Sequence, residues 1–180
     1  MIQADEPSDV LRWKVIAIFF LGLLFMAVLA VRIGWASRDW GGIRLGLLNH
    51  ILGSILVAGG LTLVVWTVRL QYKIGKGTPA PAVATQRLVT QGPYACTRNP
   101  MTLGALLMYL GIGVWIGSGV VIFLTLIVFS LLLVYIYIRE TRELTDRFGE
   151  EYLEYKRQTP FLCPWVLGPA TRSRCSSPRL

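Results

Sequence analysis

Four apolar stretches divide the chain, and the first two are each long enough for a helix that crosses a lipid bilayer. They cover residues 13–31, 45–68, 101–116 and 120–138. Lys14 and His50 are the only Lys, Arg, Asp, Glu or His side chains inside them. A hydrocarbon core about 30 Å thick is crossed by about 20 helical residues at 1.5 Å per residue. The pattern therefore predicts an all-α integral membrane helical bundle with about four transmembrane helices.

The segments beside these stretches refine the arrangement. Residues 117–119, Gly-Ser-Gly, are all that separates the third stretch from the fourth, so we predict a tight helical hairpin. The first stretch is too long for a secretory signal, and Asp5, Glu6 and Asp9 give its leader the wrong charge. We therefore expect it to be retained. A composition of 54% hydrophobic and 16% charged residues agrees with the membrane class.

Basic residues near the span ends indicate the orientation of the bundle. If all four stretches cross the membrane, fifteen Lys and Arg side chains lie on the side of the two termini, and Arg32, Arg38 and Arg44 lie opposite. Cytoplasmic segments are enriched in Lys and Arg. We therefore place both termini and the segment 69–100 in the cytoplasm. The net charge of +8 is then mainly a topology signal with some attraction to anionic lipid, and no nucleic-acid partner is needed to explain it.

The three cysteines and the single histidine give no sign of a metal site. Cys96, Cys163 and Cys175 all fall on the predicted cytoplasmic side, where thiols stay reduced, and no metal-ligand spacing joins them to His50. We therefore expect neither a metal nor a disulfide.

The charged stretch after the fourth apolar run is predicted to be an amphipathic cytoplasmic helix. Its apolar side chains recur at helical spacing at Leu144, Phe148, Tyr152 and Tyr155. We interpret the three aromatic rings as packing residues. Gly149 should weaken the helix and Pro160 should end it. Residues 1–164 are thus predicted to form one domain, and residues 165–180 a basic, disordered tail.

Asn99 and Pro100 form a helix start at the head of the third apolar stretch. Asparagine caps backbone N–H groups, and proline at the first helical position loses nothing by lacking one. Unsatisfied N–H groups and a partial positive charge suit a carboxylate or phosphate ligand. The preceding Arg98 either takes part in such a site or anchors the helix at the headgroups, and taken alone the anchoring role is the better interpretation.

Glu140 follows the fourth apolar stretch directly, and the hairpin should bring it close to Arg98 at one membrane boundary. An acid at this depth is costly unless a cation or water reaches it. Two roles fit the spacing equally well: a functional carboxylate, or an ion pair with Arg98 or Arg139 that fixes the hairpin.

Several motifs occur in a fixed order between Arg87 and Pro164. They are "GPYACTRNP" at residues 92–100, "RET" at 139–141, "FGEEYLEY" at 148–155 and the closing proline. The ordered series resembles the membrane methyltransferase family that includes isoprenylcysteine carboxyl methyltransferase and the phospholipid N-methyltransferases.

The resemblance implies a small multi-spanning helical enzyme that uses S-adenosylmethionine and acts on a lipidic or hydrophobic acceptor at the membrane. It also implies a cofactor site between the Arg-Asn-Pro helix start and the cytoplasmic helix. The matching cofactor positions are Tyr94, Arg98, Asn99, Pro100, Leu103, Gly104 and Glu140. Glu140 and Arg139 are the candidate catalytic residues. The chain departs from the family pattern at Thr141, which replaces a second glutamate, and at Thr102, where an aromatic residue is common.

The acceptor group and the enzyme class stay open at this point. A carboxylate acceptor needs an orienting cation such as Arg139 or Arg98, whereas an ammonium acceptor must lose a proton to a base such as Glu140 or Glu143. Two other classes compete: a membrane sterol-type reductase with a nicotinamide cofactor, and a non-enzymatic protein whose polar interface only anchors the hairpin. No recognisable dinucleotide-binding motif supports the reductase.

The charge distribution makes the orientation testable. A membrane-impermeant thiol reagent added to intact cells should fail to label Cys96 and Cys175, because the predicted topology places both in the cytoplasm. Labelling after permeabilisation is the positive control. Efficient labelling of either cysteine from outside would overturn the orientation.

Overall fold

The computed structural model describes residues 9–37, 42, 45–78 and 85–162, without the side chains of residues 140 and 141. Its long helices are α1 (Asp9–Ala36), α2 (Leu47–Lys73), α3 (Pro100–Ile116) and α4 (Gly119–Gln158). A short 3-10 helix, η1 (Gly92–Ala95), precedes α3. Each apolar stretch lies almost wholly in one long helix, so the predicted all-α architecture is confirmed. The predicted tail at 165–180 lies outside the described residues.

Three of the described helices have the length and apolar character needed to cross a membrane: α1, α2 and the first part of α4, Gly119–Arg139. Helix α3 is also apolar, but its 17 residues extend about 25 Å at 1.5 Å per residue. It contacts α1, α2 and α4. The prediction of about four spans thus becomes three long spans and one shorter apolar helix packed among them.

The turn between α3 and α4 is the tight hairpin that the sequence predicts. Gly117 ends α3 in the left-handed conformation, with φ 74° and ψ 28°, which glycine adopts without steric cost. The Ser118 hydroxyl oxygen then accepts a hydrogen bond from the Val121 N–H, at 3.3 Å, and caps α4. The same hydroxyl lies 3.1 Å from that of Ser37, so this turn also holds the end of α1.

Helices α2 and α3 approach each other more closely than side chains normally allow. A Cβ atom built on Gly60 would lie 2.5 Å from the carbonyl oxygen of Gly104, and one built on Gly104 would lie 2.8 Å from that of Gly60. Farther along, a Cβ on Gly111 would lie 2.9 Å from the carbonyl oxygen of Gly53. Small residues permit such backbone contact between helices in lipid. These four glycines are therefore sites of close packing between α2 and α3.

A cluster of apolar side chains from all four long helices lies beside this contact. The buried members are Ile16, Val64, Val68, Ala105, Met108, Tyr109 and Phe129. The Tyr109 hydroxyl donates a 2.9 Å hydrogen bond to the carbonyl oxygen of Leu23, so α1 is tied to the middle of α3. Because the bond satisfies the hydroxyl inside an apolar region, a polar atom does not disturb the core.

The expectation of reduced thiols is wrong for Cys96, which is disulfide-bonded. The sequence argument concerned the redox compartment and could not show which cysteines the fold brings together. The Cys96 sulfur cannot react with a thiol reagent in this state. The orientation is therefore best measured after reduction, or with a reporter cysteine in a cysteine-free variant.

The helix contact at Gly60 can be tested against its neighbour, because no other part of the described chain lies within 4 Å of a Cβ built on Gly59. Gly-to-Ala exchange raises helix propensity by up to about 1 kcal/mol at either site. Gly60→Ala should nevertheless lower the thermal midpoint of the solubilised protein, since its methyl group meets backbone atoms of α3. Gly59→Ala should leave the midpoint unchanged or raise it. Equal midpoints would contradict the close approach of the two helices.

Candidate active site

Helix α3 starts at Pro100 with Asn99 in the N-cap position, as the sequence predicts. The expected capping hydrogen bond from the Asn99 side chain is absent from this described helix start. Instead, the Asn99 amide nitrogen donates to the carbonyl oxygen of Phe161 at 3.4 Å. This part of the prediction is wrong because the side chain is used to bind a distant segment, which local sequence does not reveal.

The C-terminal part of α4 turns back toward this helix start. Gly149 interrupts α4 with φ 53° and ψ −127°, a conformation open mainly to glycine. The helix then ends at Gln158, and Thr159 is extended before Pro160. The predicted effects of Gly149 and Pro160 are both confirmed. Residues 150–161 can therefore leave the axis of the span and pack on η1 and the start of α3.

Arg98 is the centre of the contact between these two segments. It is 9% exposed, and its backbone N–H donates to the Pro160 carbonyl oxygen at 2.9 Å. Its guanidinium donates to the Tyr152 hydroxyl oxygen at 3.0 Å and lies over the Phe161 ring, with Cζ 5.4 Å from the ring centroid. We call Arg98, Tyr152, Pro160 and Phe161 the Arg98 cluster. Its contacts stabilise a buried charge by a hydrogen bond and a cation–π interaction.

Tyr94 adds a second set of contacts on η1. Its backbone carbonyl oxygen accepts a 2.7 Å hydrogen bond from the Tyr155 hydroxyl, and its own hydroxyl accepts one of 2.8 Å from the Gln71 amide. The Thr97 hydroxyl donates to the carbonyl oxygen of Phe161 at 3.1 Å. The Gly-Pro-Tyr turn is thus held by α2 on one side and by the C-terminal segment on the other.

Tyr152 and Tyr155 also bear out their predicted packing role. Tyr152 is fully buried, and Tyr155 reaches the Tyr94 carbonyl group through its hydroxyl. Each therefore combines an apolar ring with a polar end that finds a partner. The helical spacing predicted the buried face but not these two partners.

Glu140 is the first residue after the membrane-crossing part of α4, and its side chain lies outside the description. The backbone nevertheless places it near the Arg98 cluster. Tyr137, about one helical turn earlier, packs edge-on against Phe161, with ring centroids 5.4 Å apart. Arg139 is exposed, and its guanidinium carbon lies 6.0 Å from the centroid of the Tyr135 ring. Arg139 therefore runs back along the outer side of the helix.

The other predicted cofactor positions lie on the first turns of α3. Pro100 is fully buried, and Leu103 is partly buried, with its N–H bonded to the Asn99 carbonyl oxygen. Gly104 faces α2, where it makes the close contact with Gly60. The structure thus brings Tyr94, Arg98, Asn99 and Pro100 together, and it places Gly104 and Arg139 on other surfaces.

Two contributors to this region were not singled out from the sequence. Gln71 supports Tyr94 from the end of α2, and Phe161 supplies both a ring and a carbonyl oxygen. The only local signal for Phe161 was its position after the helix-ending Pro160. Contacts of this kind join segments far apart in the chain, and a single sequence carries no periodic pattern that reports them.

The fold and the site define a multi-pass α-helical membrane protein with a buried polar cluster where its apolar helices end. Residues 48–151, 104 of the 180 in the chain, match the phospholipid methyltransferase family, so the chain belongs to that family. The family is related to the isoprenylcysteine carboxyl methyltransferase family, which confirms the resemblance seen in the motifs. The protein is accordingly an S-adenosylmethionine-dependent methyltransferase. No curated protein and no solved structure gives a significant match to the chain.

The Arg98 cluster makes a structural prediction. Tyr152→Phe removes one acceptor from a buried guanidinium, and a hydrogen bond to a charged group contributes about 1.5–3 kcal/mol. We expect a lower thermal midpoint and faster amide hydrogen exchange in residues 150–161. Tyr135→Phe, at a position 59% exposed on α4, is the matched control. Identical exchange in the two variants would show that the cluster does not hold the C-terminal segment.

Proposed function

We propose that the protein transfers a methyl group from S-adenosylmethionine to the amine of a phospholipid headgroup at the cytoplasmic surface of the membrane. Membership of the phospholipid methyltransferase family supports a phospholipid acceptor. The observation that favours an amine over a carboxylate is the placement of the two candidate cations. Arg98 is buried against Tyr152 and Phe161, and Arg139 lies along Tyr135. Each guanidinium is thus directed to aromatic side chains and is not placed to orient a carboxylate acceptor.

The start of α3 fits the carboxylate of the cofactor. Because Asn99 makes no capping bond and Pro100 has no N–H, the N–H groups of Met101 and Thr102 lack an intrahelical partner. Helix N-termini with such groups bind anions, and the positive charge of Arg98 lies beside this one. We assign Tyr94, Asn99 and Leu103 to the surroundings of the same site. When bound, the cofactor supplies a methyl group made electrophilic by a sulfonium sulfur.

The acceptor must reach this site as a free amine. An ammonium group has no lone pair, so it has to lose a proton before its nitrogen can take the methyl group in a single displacement. We assign Glu140 as the base, since it follows the span directly and its backbone lies one turn from the Tyr137–Phe161 contact. Glu143 is less suited because its carboxylate pairs with Arg147 at 3.4 Å.

Two substrates of opposite solubility meet in this arrangement. The cofactor comes from water, whereas a phospholipid can only approach within the membrane. An enzyme that holds both at one boundary keeps the methyl group and the acceptor nitrogen in a fixed relative position, so they need not meet by diffusion. Positioning of this kind contributes much of the rate of a two-substrate reaction. The Arg98 cluster supports that geometry, since it fixes the start of α3 to the C-terminal segment. The hydrogen bond from the Tyr155 hydroxyl to the Tyr94 carbonyl oxygen fixes η1 to the same segment.

The function is tested by methyl transfer from radiolabelled S-adenosylmethionine to vesicles that contain an ethanolamine phospholipid. The wild type should label this lipid and should not label a lipid with a free carboxylate and no amine. Glu140→Gln should fold normally and lose about a hundredfold or more in turnover, the range for loss of a general base. Glu143→Gln should lose far less, because its partner is Arg147.

The affinity for S-adenosylmethionine distinguishes a role of Glu140 in proton removal from a role in cofactor binding. Glu140→Gln should keep measurable affinity for S-adenosylmethionine if its main role is proton removal. Labelling of the carboxylate lipid alone would refute the amine acceptor. Near-normal turnover of Glu140→Gln, or a change confined to its thermal midpoint, would return Glu140 to a structural role.

A further inference from the structure

A cavity of about 520 Å³ lies between α1, α3 and α4, in the membrane-crossing part of the fold. Its walls are almost wholly apolar, with Leu23 from α1, Ala105 from α3 and Phe129 from α4 among the lining residues. Tyr109 also lines it, but the hydroxyl of this residue is bonded to the Leu23 carbonyl oxygen. The wall therefore offers hydrocarbon contact and very little hydrogen bonding.

The cavity is closed at the hairpin end. There a Cβ built on Gly34 would lie 2.9 Å from Ile116 and 3.3 Å from Val121, so α1 packs directly on the ends of α3 and α4. The hydrogen bond between Ser37 and Ser118 fastens the same end. The cavity extends from this contact between the three helices.

The other end of the cavity reaches the candidate active site. Met101 and Thr102, the two residues after Pro100, both line it, and Ile136 lines it near the end of the span in α4. The same two residues carry the N–H groups assigned to the cofactor carboxylate. One helical turn of α3 therefore borders both the apolar cavity and the proposed site of methyl transfer.

The dimensions suit a single hydrocarbon chain. The lining on α4 runs from Val121 to Ile136, about 22 Å at 1.5 Å per residue, which exceeds one leaflet of a core about 30 Å thick. A cavity of about 150 Å³ holds the six carbons of benzene, so 520 Å³ holds roughly twenty carbons. That is one long acyl chain and not two.

We propose that this cavity binds one acyl chain of the phospholipid acceptor, extended, with its methyl end near Val121 and Thr125. The second chain stays in the surrounding lipid. This assignment rests on the proposed function for the identity of the headgroup. The bound chain fixes the depth of the lipid, so the cavity selects acceptors by the length of one chain while the site at Asn99 and Pro100 selects by headgroup.

Chain-length preference tests the proposal with a matched pair of variants. Thr125 is 8% exposed and lines the deep end of the cavity, whereas the adjacent Leu126 is 47% exposed and does not line it. Thr125→Phe should lower the kcat/KM ratio of sixteen-carbon to eight-carbon ethanolamine phospholipids by at least about fourfold, because each methylene excluded from an apolar site forfeits roughly fourfold in affinity. Leu126→Phe should leave the ratio unchanged. Equal ratios in the two variants would overturn the proposal.

A second measurement on the unaltered protein does not depend on turnover. An ethanolamine phospholipid with a photoreactive diazirine at the end of one chain is incorporated into vesicles with the protein and irradiated. Cross-links should concentrate on Ile33, Val121 and Thr125, which line the closed end. Cross-links spread over exposed residues of α4 such as Leu126 and Leu131, without enrichment in the cavity, would refute the chain site.

The two measurements keep the two proposals apart. If the protein methylates no amine lipid but the cross-links concentrate in the cavity, the proposed function fails and the chain site stands. If amine lipids are methylated but neither the ratio nor the cross-links follow the cavity, the proposed function stands and the chain site fails.

Discussion

The backbone contact between α2 and α3 sets the position of everything else in this protein. Helix α3 extends about 25 Å, less than a hydrocarbon core of about 30 Å, so its own length does not fix its depth in the membrane. Gly60 and Gly104 bring the two backbones into contact, and a shift of α3 along α2 would carry side chains into that contact. The depth of the α3 start in the membrane is thus determined by the position of the longer helix α2. A polar helix start at a membrane boundary needs such a constraint, since a small change in depth alters its access to water.

The Arg98 cluster reduces the free-energy cost of burying a charged side chain at that boundary. A guanidinium 9% exposed at the end of an apolar bundle would be strongly destabilising without partners. The partners come from Tyr152 and Phe161, residues more than fifty positions later in the chain. The left-handed conformation of Gly149 allows the chain to return, so the positive φ of one residue and the burial of one charge depend on each other.

Local pattern was sufficient for the four apolar helices, the hairpin and the helix ends. Apolar runs of helical length, a Gly-Ser-Gly turn, and the breakers Gly149 and Pro160 each act on neighbouring residues, and each was found where predicted. The predictions from local pattern were wrong for residues that bond to a distant segment of the chain and not to their neighbours in sequence. Asn99 has the side chain of a helix cap but bonds to Phe161, and Cys96 lies on the predicted cytoplasmic side but forms a disulfide. Gly59 and Gly60 are equivalent in sequence, and only the placement of α3 distinguishes them.

The same helix turn that carries the polar site also lines the apolar cavity, and this sharing has a physical consequence. A lipid headgroup in a bilayer moves freely in depth, so an enzyme that acts on it must hold the lipid at one depth. If the headgroup alone were held, the flexible chains would pull it toward many depths, and ordering it would cost conformational free energy at each turnover. In the proposed arrangement, an acyl chain held against the closed end near Ser37 and Ser118 fixes the lipid at one end, and the α3 start fixes its headgroup at the other. Both lie on one rigid unit because α1, α3 and α4 are joined at the hairpin and α3 is joined to α2. On the proposed assignments, the distance from the bound chain to the reacting nitrogen is then set by the protein and not by the fluid membrane.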